Sequence, residues 1–271
     1  MTTSRSVRRS VRELTHRVLN CLDSPDKEKD WTVDDARAAG MLEGDGMPRE
    51  IDLRQSWWDV GDQGSTGSCV GWAAADSVIR WHFHGADRLR DREKLSVRYL
   101  WMASKETDEF QSRPTTFIER DGTSLKSALN IARKYGMVKE RDLRFRGGLY
   151  QGTATAFYAI ASQMKIGSFF NLGTDPANWR AWLAFNGPVL TRLDIDDAWD
   201  ALDVDGSDGR LTTYRKPPEP RGHAVALVGY RSDGSFIVRN SWGTGWGDGG
   251  FAYASTRYAR AAFTEAYGVR L

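Results

Sequence analysis

The sequence changes texture about halfway along, and that change limits what the chain can fold into. Up to about residue 148 the apolar residues recur at helical spacing: Val70, Ala73, Ala74, Val78 and Trp81 within Cys69–Phe83, then runs from Ser96 to Thr107 and from Ser124 to Tyr135, the last closed by Gly136. After Leu149 the runs are short, 166–170, 189–195, 224–230 and 236–239, and Gly, Asp or Asn stands between them. That is the pattern of an antiparallel sheet, with one helix at 178–185 interrupting it. Helices first and strands second predict an α+β chain of two lobes with a cleft between them, a helical lobe at about 55–148 and a sheet lobe at about 149–271.

Residues 1–46 read as a separate N-terminal arm or short pro-segment. Val7, Val11, Leu14, Val18 and Leu22 form one stripe of an amphipathic helix, and a short Ala-rich segment at 31–42 begins with a Thr32 cap. Met47-Pro48 marks the boundary, because proline disfavours helix in the residue before it, and an extended start to the main domain follows. Arg5, Arg8, Arg9, Arg12, His16 and Arg17 make the first turns basic, a face more often solvated than functional.

The chain has 271 residues, and 38 basic against 36 acidic residues leave a formal charge of only +2, so no large field exists to steer a nucleic acid. No run of about 18 apolar residues is present for a membrane span, and no signal-peptide pattern opens the chain. Cys21 and Cys69 are too few for a disulfide framework. These observations predict a cytoplasmic protein with no nucleic-acid partner and no membrane span. Asp203, Asp205 and Asp208 among glycines invite a calcium reading, but no EF-hand pattern can be laid on them, and a surface loop at the cleft rim is the expectation.

Three segments carry chemistry. A glycine-rich turn, 63–68, leads directly into an apolar helix and puts Cys69 at its N-terminus, where unpaired N–H groups and the helix dipole favour a thiolate. His223 opens an apolar strand 154 positions later, where an imidazole can serve such a thiol as base. Asn240 ends the next strand, 17 positions on, so a hairpin brings it beside His223, where its carbonyl can hold one imidazole nitrogen while the other faces the thiol. Trp242 would cover that bond from water.

With Gln63, Cys69, His223, Asn240 and Trp242 in this order, each in its own local setting, residues 47–271 resemble the papain family of cysteine peptidases. The segment 48–54 is similar to the start of that family's mature domain, and 122–125, 135–138 and 186–189 to weaker landmarks. The resemblance implies a thiol on the helical lobe meeting an imidazole on the sheet lobe. It also implies a Cys-His-Asn triad acting through a thioester on a peptide or protein substrate, and an oxyanion bound by Gln63 and the Cys69 amide. It calls for no cofactor and no metal. Endopeptidase action is expected ahead of exopeptidase action, while a deamidase or acyltransferase on the same fold and an inactive peptide-binding module stay open.

The sequence also departs from the family. Thr66 stands where secreted members carry a cysteine, Val70 where an aromatic residue commonly follows the nucleophile, and the usual Gly-Gly cleft wall is not evident near Gly122. The arm is shorter than the family's inhibitory propeptide. It is expected either to cover the cleft and be removed around 40–47, or to serve as a packing or docking arm.

Overall fold

A computed structural model describes residues 17–42, 46–107, 122–204 and 206–271. Its eight strands are β1 (Ile51–Asp52), β2 (Ser168–Asn171), β3 (Val189–Asp194), β4 (Arg210–Leu211), β5 (Gly222–Tyr230), β6 (Phe236–Arg239), β7 (Phe251–Ala254) and β8 (Phe263–Arg270). They form one sheet in the order β2-β8-β3-β5-β6-β7-β4, with β1 paired to β5. All pairings are antiparallel except that of the short β4 with β7, so the sheet is mixed rather than purely antiparallel, and its hydrogen-bonded path is open rather than closed. The fold is α+β, as the two textures predict.

Helix starts follow local chemistry. The side chains of Ser124, Thr153, Asp175 and Ser255 each accept a first-turn backbone N–H, opening Leu125–Lys134, Ala154–Ser162, Pro176–Phe185 and Thr256–Ala262, and each cap contributes about 1 kcal/mol. Thr32 and Asp35 form a reciprocal capping box before Val33–Ala38. The Cys69 helix is continuous through Cys69–Gly71, Trp72–Ile79 and Arg80–Gly85, its middle section wound as a π-helix, a form that concentrates at functional sites.

Two apolar clusters flank the sheet. The first joins the Cys69 helix, Val97–Thr107 and Leu125–Lys134 to one face of β3 and β5. Ala161 and Met164, in and just after Ala154–Ser162, belong to this cluster although they lie beyond residue 148. The second packs Trp179, Trp182, Trp199 and Trp246 with the opposite face of β3, β5 and β6.

The helix read over 7–22 lies outside the described residues up to position 16. Residues 17–22, within reach, are not helical but extended, with isolated bridges at Asn20 to Gly222 and Leu22 to Ser124. The physical reason is tertiary. Backbone groups that a helix would satisfy internally are taken here by the two lobes, Cys21 N–H by the Gly222 carbonyl at 3.0 Å and Leu22 N–H by the Thr123 carbonyl at 3.1 Å.

Candidate active site

Cys69 is the first residue of its helix and is fully buried. His223 is the second residue of β5, and Asn240 follows the end of β6, so the β5–β6 pairing brings the two together as the 17-residue spacing suggested. His223 Nε2 lies 2.8 Å from Asn240 Oδ1. The other ring nitrogen, Nδ1, is buried without a hydrogen-bond partner, and the ring lies close enough to Cys69 to lower the pKa of its thiol. An imidazole shared in this way has its tautomer fixed: Nε2–H donates to the amide oxygen, and Nδ1 is left for the thiol.

The Asn240 carbonyl also accepts the Ser241 N–H at 2.8 Å, which prevents the amide from turning. Trp242 lies over the imidazole at 5.0 Å between ring centroids, and Trp199 approaches edge-on at 5.7 Å. Trp199 in turn stacks on Trp246 at 5.1 Å. These indoles keep water from the His223–Asn240 bond, where low dielectric strengthens it.

Gln63 is buried on the same side. Its Oε1 accepts from Ser241 Oγ at 2.8 Å, and its Nε2 donates to the Thr66 carbonyl at 2.9 Å. One Nε2 hydrogen remains for a ligand, because a primary amide has two. All four residues singled out in the sequence therefore converge. Of the acidic loop residues, Asp203 receives Arg17 at 3.2 Å.

Sequence reasoning missed three features. Arg239 and Arg80 are buried and share Asp76, at 3.1 Å each, while Arg239 also donates to Ser77 Oγ at 2.8 Å. This network ties the π-helical section behind Cys69 to the residue preceding Asn240. A buried carboxylate between two guanidiniums would be costly to break, so it fixes one lobe's thiol relative to the other lobe's amide. An arginine closing the otherwise apolar run Phe236–Arg239 was the available signal. Trp199 is the second feature, and the third is Cys21.

Cys21 belongs to the arm, which runs through the cleft. Arg17 sits over the Trp242 ring at 4.5 Å, and Asn20 to Leu22 pass between Gly122-Thr123 and Gly222. Asp23 pairs with Arg192 at 3.4 Å, and Glu265 accepts Ser24 N–H at 2.9 Å and Lys27 at 3.1 Å. A Cβ on Gly122 would stand 1.9 Å from the Asn20 carbonyl oxygen, and one on Gly222 would stand 2.2 Å from that of Cys21. Both glycines are therefore needed for a chain to lie in this groove. Gly122, followed by Thr123, forms the wall that the sequence seemed to lack.

The Cys21 thiol donates to the Leu22 carbonyl at 3.8 Å. The neighbouring Cys21, together with the hydrogen bonding and charge of His223, holds the Cys69 thiol well below its usual range against the opposing effect of burial. Burial, and then the neighbouring Cys69, push the Cys21 thiol well above its own.

Residues 47–267 match the sequence model of the papain family of cysteine proteases. The chain belongs to that family. Cysteine proteinase 1 of Zea mays is 26% identical over 230 residues, covering 80% of this chain and 58% of that protein. Cysteine endopeptidase Rep1 of Oryza sativa subsp. japonica is 29% identical over 216 residues, covering 76% and 52%. The chain thus spans about six-tenths or less of these curated relatives. Among solved structures, xylellain, a cysteine protease from Xylella fastidiosa, superposes with a TM-score of 0.73 at 17% identity, covering 94% of this chain and 97% of that one. Digestive procathepsin L 3 of Tenebrio molitor gives 0.63 at 18%, covering 95% and 77%. At these identities the likeness is one of papain-like fold, and its coverage reaches into the segment before Met47.

Proposed function

We propose that the chain is a cysteine peptidase whose cleft is blocked by its own N-terminal arm. The observation that carries the reading is the single imidazole of His223, held by Asn240 at 2.8 Å on one side and engaged with Cys69 on the other. In the mechanism, the Cys69 thiolate attacks a peptide carbonyl. The oxyanion is stabilised by the free Gln63 Nε2 hydrogen and the Cys69 N–H, and the His223 imidazolium protonates the departing amine. Water then attacks the thioester with His223 as base, releasing the acid and restoring the thiol. Asn240 orients the ring and undergoes no change itself.

Substrate would lie as an extended strand against Gly122-Thr123 and Gly222, where the arm now lies. The arm offers no scissile carbonyl at Cys21, because that carbonyl accepts from Arg192 Nε at 3.1 Å rather than from Gln63. The arm's anchors are ion pairs and backbone hydrogen bonds outside the catalytic set, so the arm can be displaced without dismantling the site.

The test is a product analysis. The enzyme freed of residues 1–46 is incubated with a peptide library in the presence of a competing primary amine. Cleaved peptides ending in free carboxylates are expected. Accumulation of amide conjugates, or of deamidated glutamines with the backbone intact, would replace hydrolysis by acyl transfer or deamidation, and recovery of unchanged peptides would indicate a binding module.

Gln63→Ala in the same enzyme is expected to lower kcat by about 10²–10³ with little change in KM, since an oxyanion donor acts chiefly in the transition state. Steady-state kinetics check this, and an unchanged kcat would remove Gln63 from the mechanism.

A further inference from the structure

The acidic loop that no EF-hand pattern fits holds a cation of another kind, a guanidinium, beside the catalytic imidazole. The Arg17 guanidinium carbon lies 4.5 Å from the Trp242 ring centroid, and Arg17 Nη2 is 3.2 Å from Asp203 Oδ2. Asp62 completes the set, its Oδ1 3.8 Å from Arg17 Nη1. The side chains of Arg17 and Asp203 are only 12% and 13% exposed. The pair is therefore largely out of water, where a cation over an indole and a charge-assisted hydrogen bond count for most. The same Trp242 ring lies 5.0 Å from the His223 ring.

The place is held in shape by contacts that do not involve the arm. Leu202 is buried and its carbonyl accepts Gly247 N–H at 3.0 Å, while Trp246 Nε1 donates to the Trp199 carbonyl at 2.9 Å. The loop carrying Asp203 is thereby pinned to the tryptophan cluster. Asp62 forms an isolated antiparallel bridge with Trp242, one residue before Gln63. Trp242 is buried, and its Nε1–H has no partner among the described residues. The indole thus keeps a donor that the arm does not use.

We propose that Asp203 and Trp242 form a substrate subsite for a basic side chain on the leaving-group side of the scissile bond, and that Arg17 of the arm occupies it in the intact chain. The inference rests on the reading of the chain as a cysteine peptidase. In that reaction His223 protonates the departing amine, so the residue that follows the scissile bond leaves past the imidazole and its Trp242 cover. A guanidinium at that residue lies over the indole and pairs with Asp203, as Arg17 does. Asp62, 59% exposed at its side chain, adds a screened pair of small effect. Arginine is favoured over lysine, because its planar group can stack on the ring and bond the carboxylate at once. The substrates so defined are peptides with arginine directly after the bond that is cut.

The experiment uses protein folded as the full chain, then cut at a protease sequence introduced between Gly46 and Met47 and separated from its arm. Quenched peptides that differ only at the residue after the scissile bond carry arginine, its neutral isostere citrulline, or alanine. The kcat/KM for arginine is expected to exceed that for citrulline by about 10–30-fold, and the ratio should fall toward one in Asp203→Asn. Equal values for arginine and citrulline, or a ratio that Asp203→Asn leaves unchanged, would overturn the proposal. Should the variant fail to fold, the arginine-to-citrulline ratio of the parent decides. Binding of singly labelled forms of the same peptides to the Cys69→Ala protein, prepared in the same way and read by fluorescence anisotropy, needs no turnover. An arginine preference in binding without any cleavage would therefore sink the peptidase reading alone, whereas cleavage without that preference would sink the subsite alone.

Discussion

Replacing Cys69 by alanine is expected to reduce peptide hydrolysis by the arm-free enzyme to background, a loss on the order of 10⁴–10⁶ in kcat, while the fold persists. The loss is large because the proposed mechanism passes through a covalent thioester, which alanine cannot form. The remaining catalysis would come from oriented donors such as Gln63 acting on bound substrate. The fold should survive because the change removes only one sulfur from a helix otherwise packed through Val70, Ala73, Ala74 and Val78. Circular dichroism and thermal unfolding check the fold, and single-turnover assays with a fluorogenic peptide check the chemistry. Hydrolysis retained within tenfold of the parent would place the nucleophile elsewhere.

Freeing the cleft should produce the second-largest change, in the opposite direction. Cleaving at a site-specific protease sequence introduced between Gly46 and Met47, and separating the arm, should raise kcat/KM by about 10³-fold. The size follows from an effective concentration of about 1 mM for a tethered segment and an intrinsic affinity on the order of 1 µM. The rise should appear equally in the labelling rate of Cys69 by a thiol-directed epoxide, because Cys69 is fully buried in the intact chain. Met47 is exposed, so a protease can reach the junction. An intact chain already as active as the cleaved one would end the inhibitory role of the arm and leave it a packing element.

The arm also shows where local sequence stops being informative. Val18 and Leu22 have helical spacing, yet residues 17–22 are extended, because the carbonyls of Gly222 and Thr123 stand ready on either side of the cleft. Periodicity reports how a segment could bury one face alone, and it is silent about hydrogen-bond partners more than a hundred residues away. Thr32 behaved otherwise, since its capping box closes within three residues and depends on nothing distant.

Residue types and order by themselves determined the α+β class and singled out Cys69, His223 and Asn240 as candidates, because each rests on local signals, helix starts, strand runs and a hairpin spacing, while Gln63 came with the resemblance to the papain family. Tertiary structure alone decided that Arg239 pairs with Asp76 across the two lobes, that Trp199 joins Trp242 over the imidazole, and that Gly222 holds Cys21. These are pairings across long stretches of chain, and no short window of sequence contains both partners.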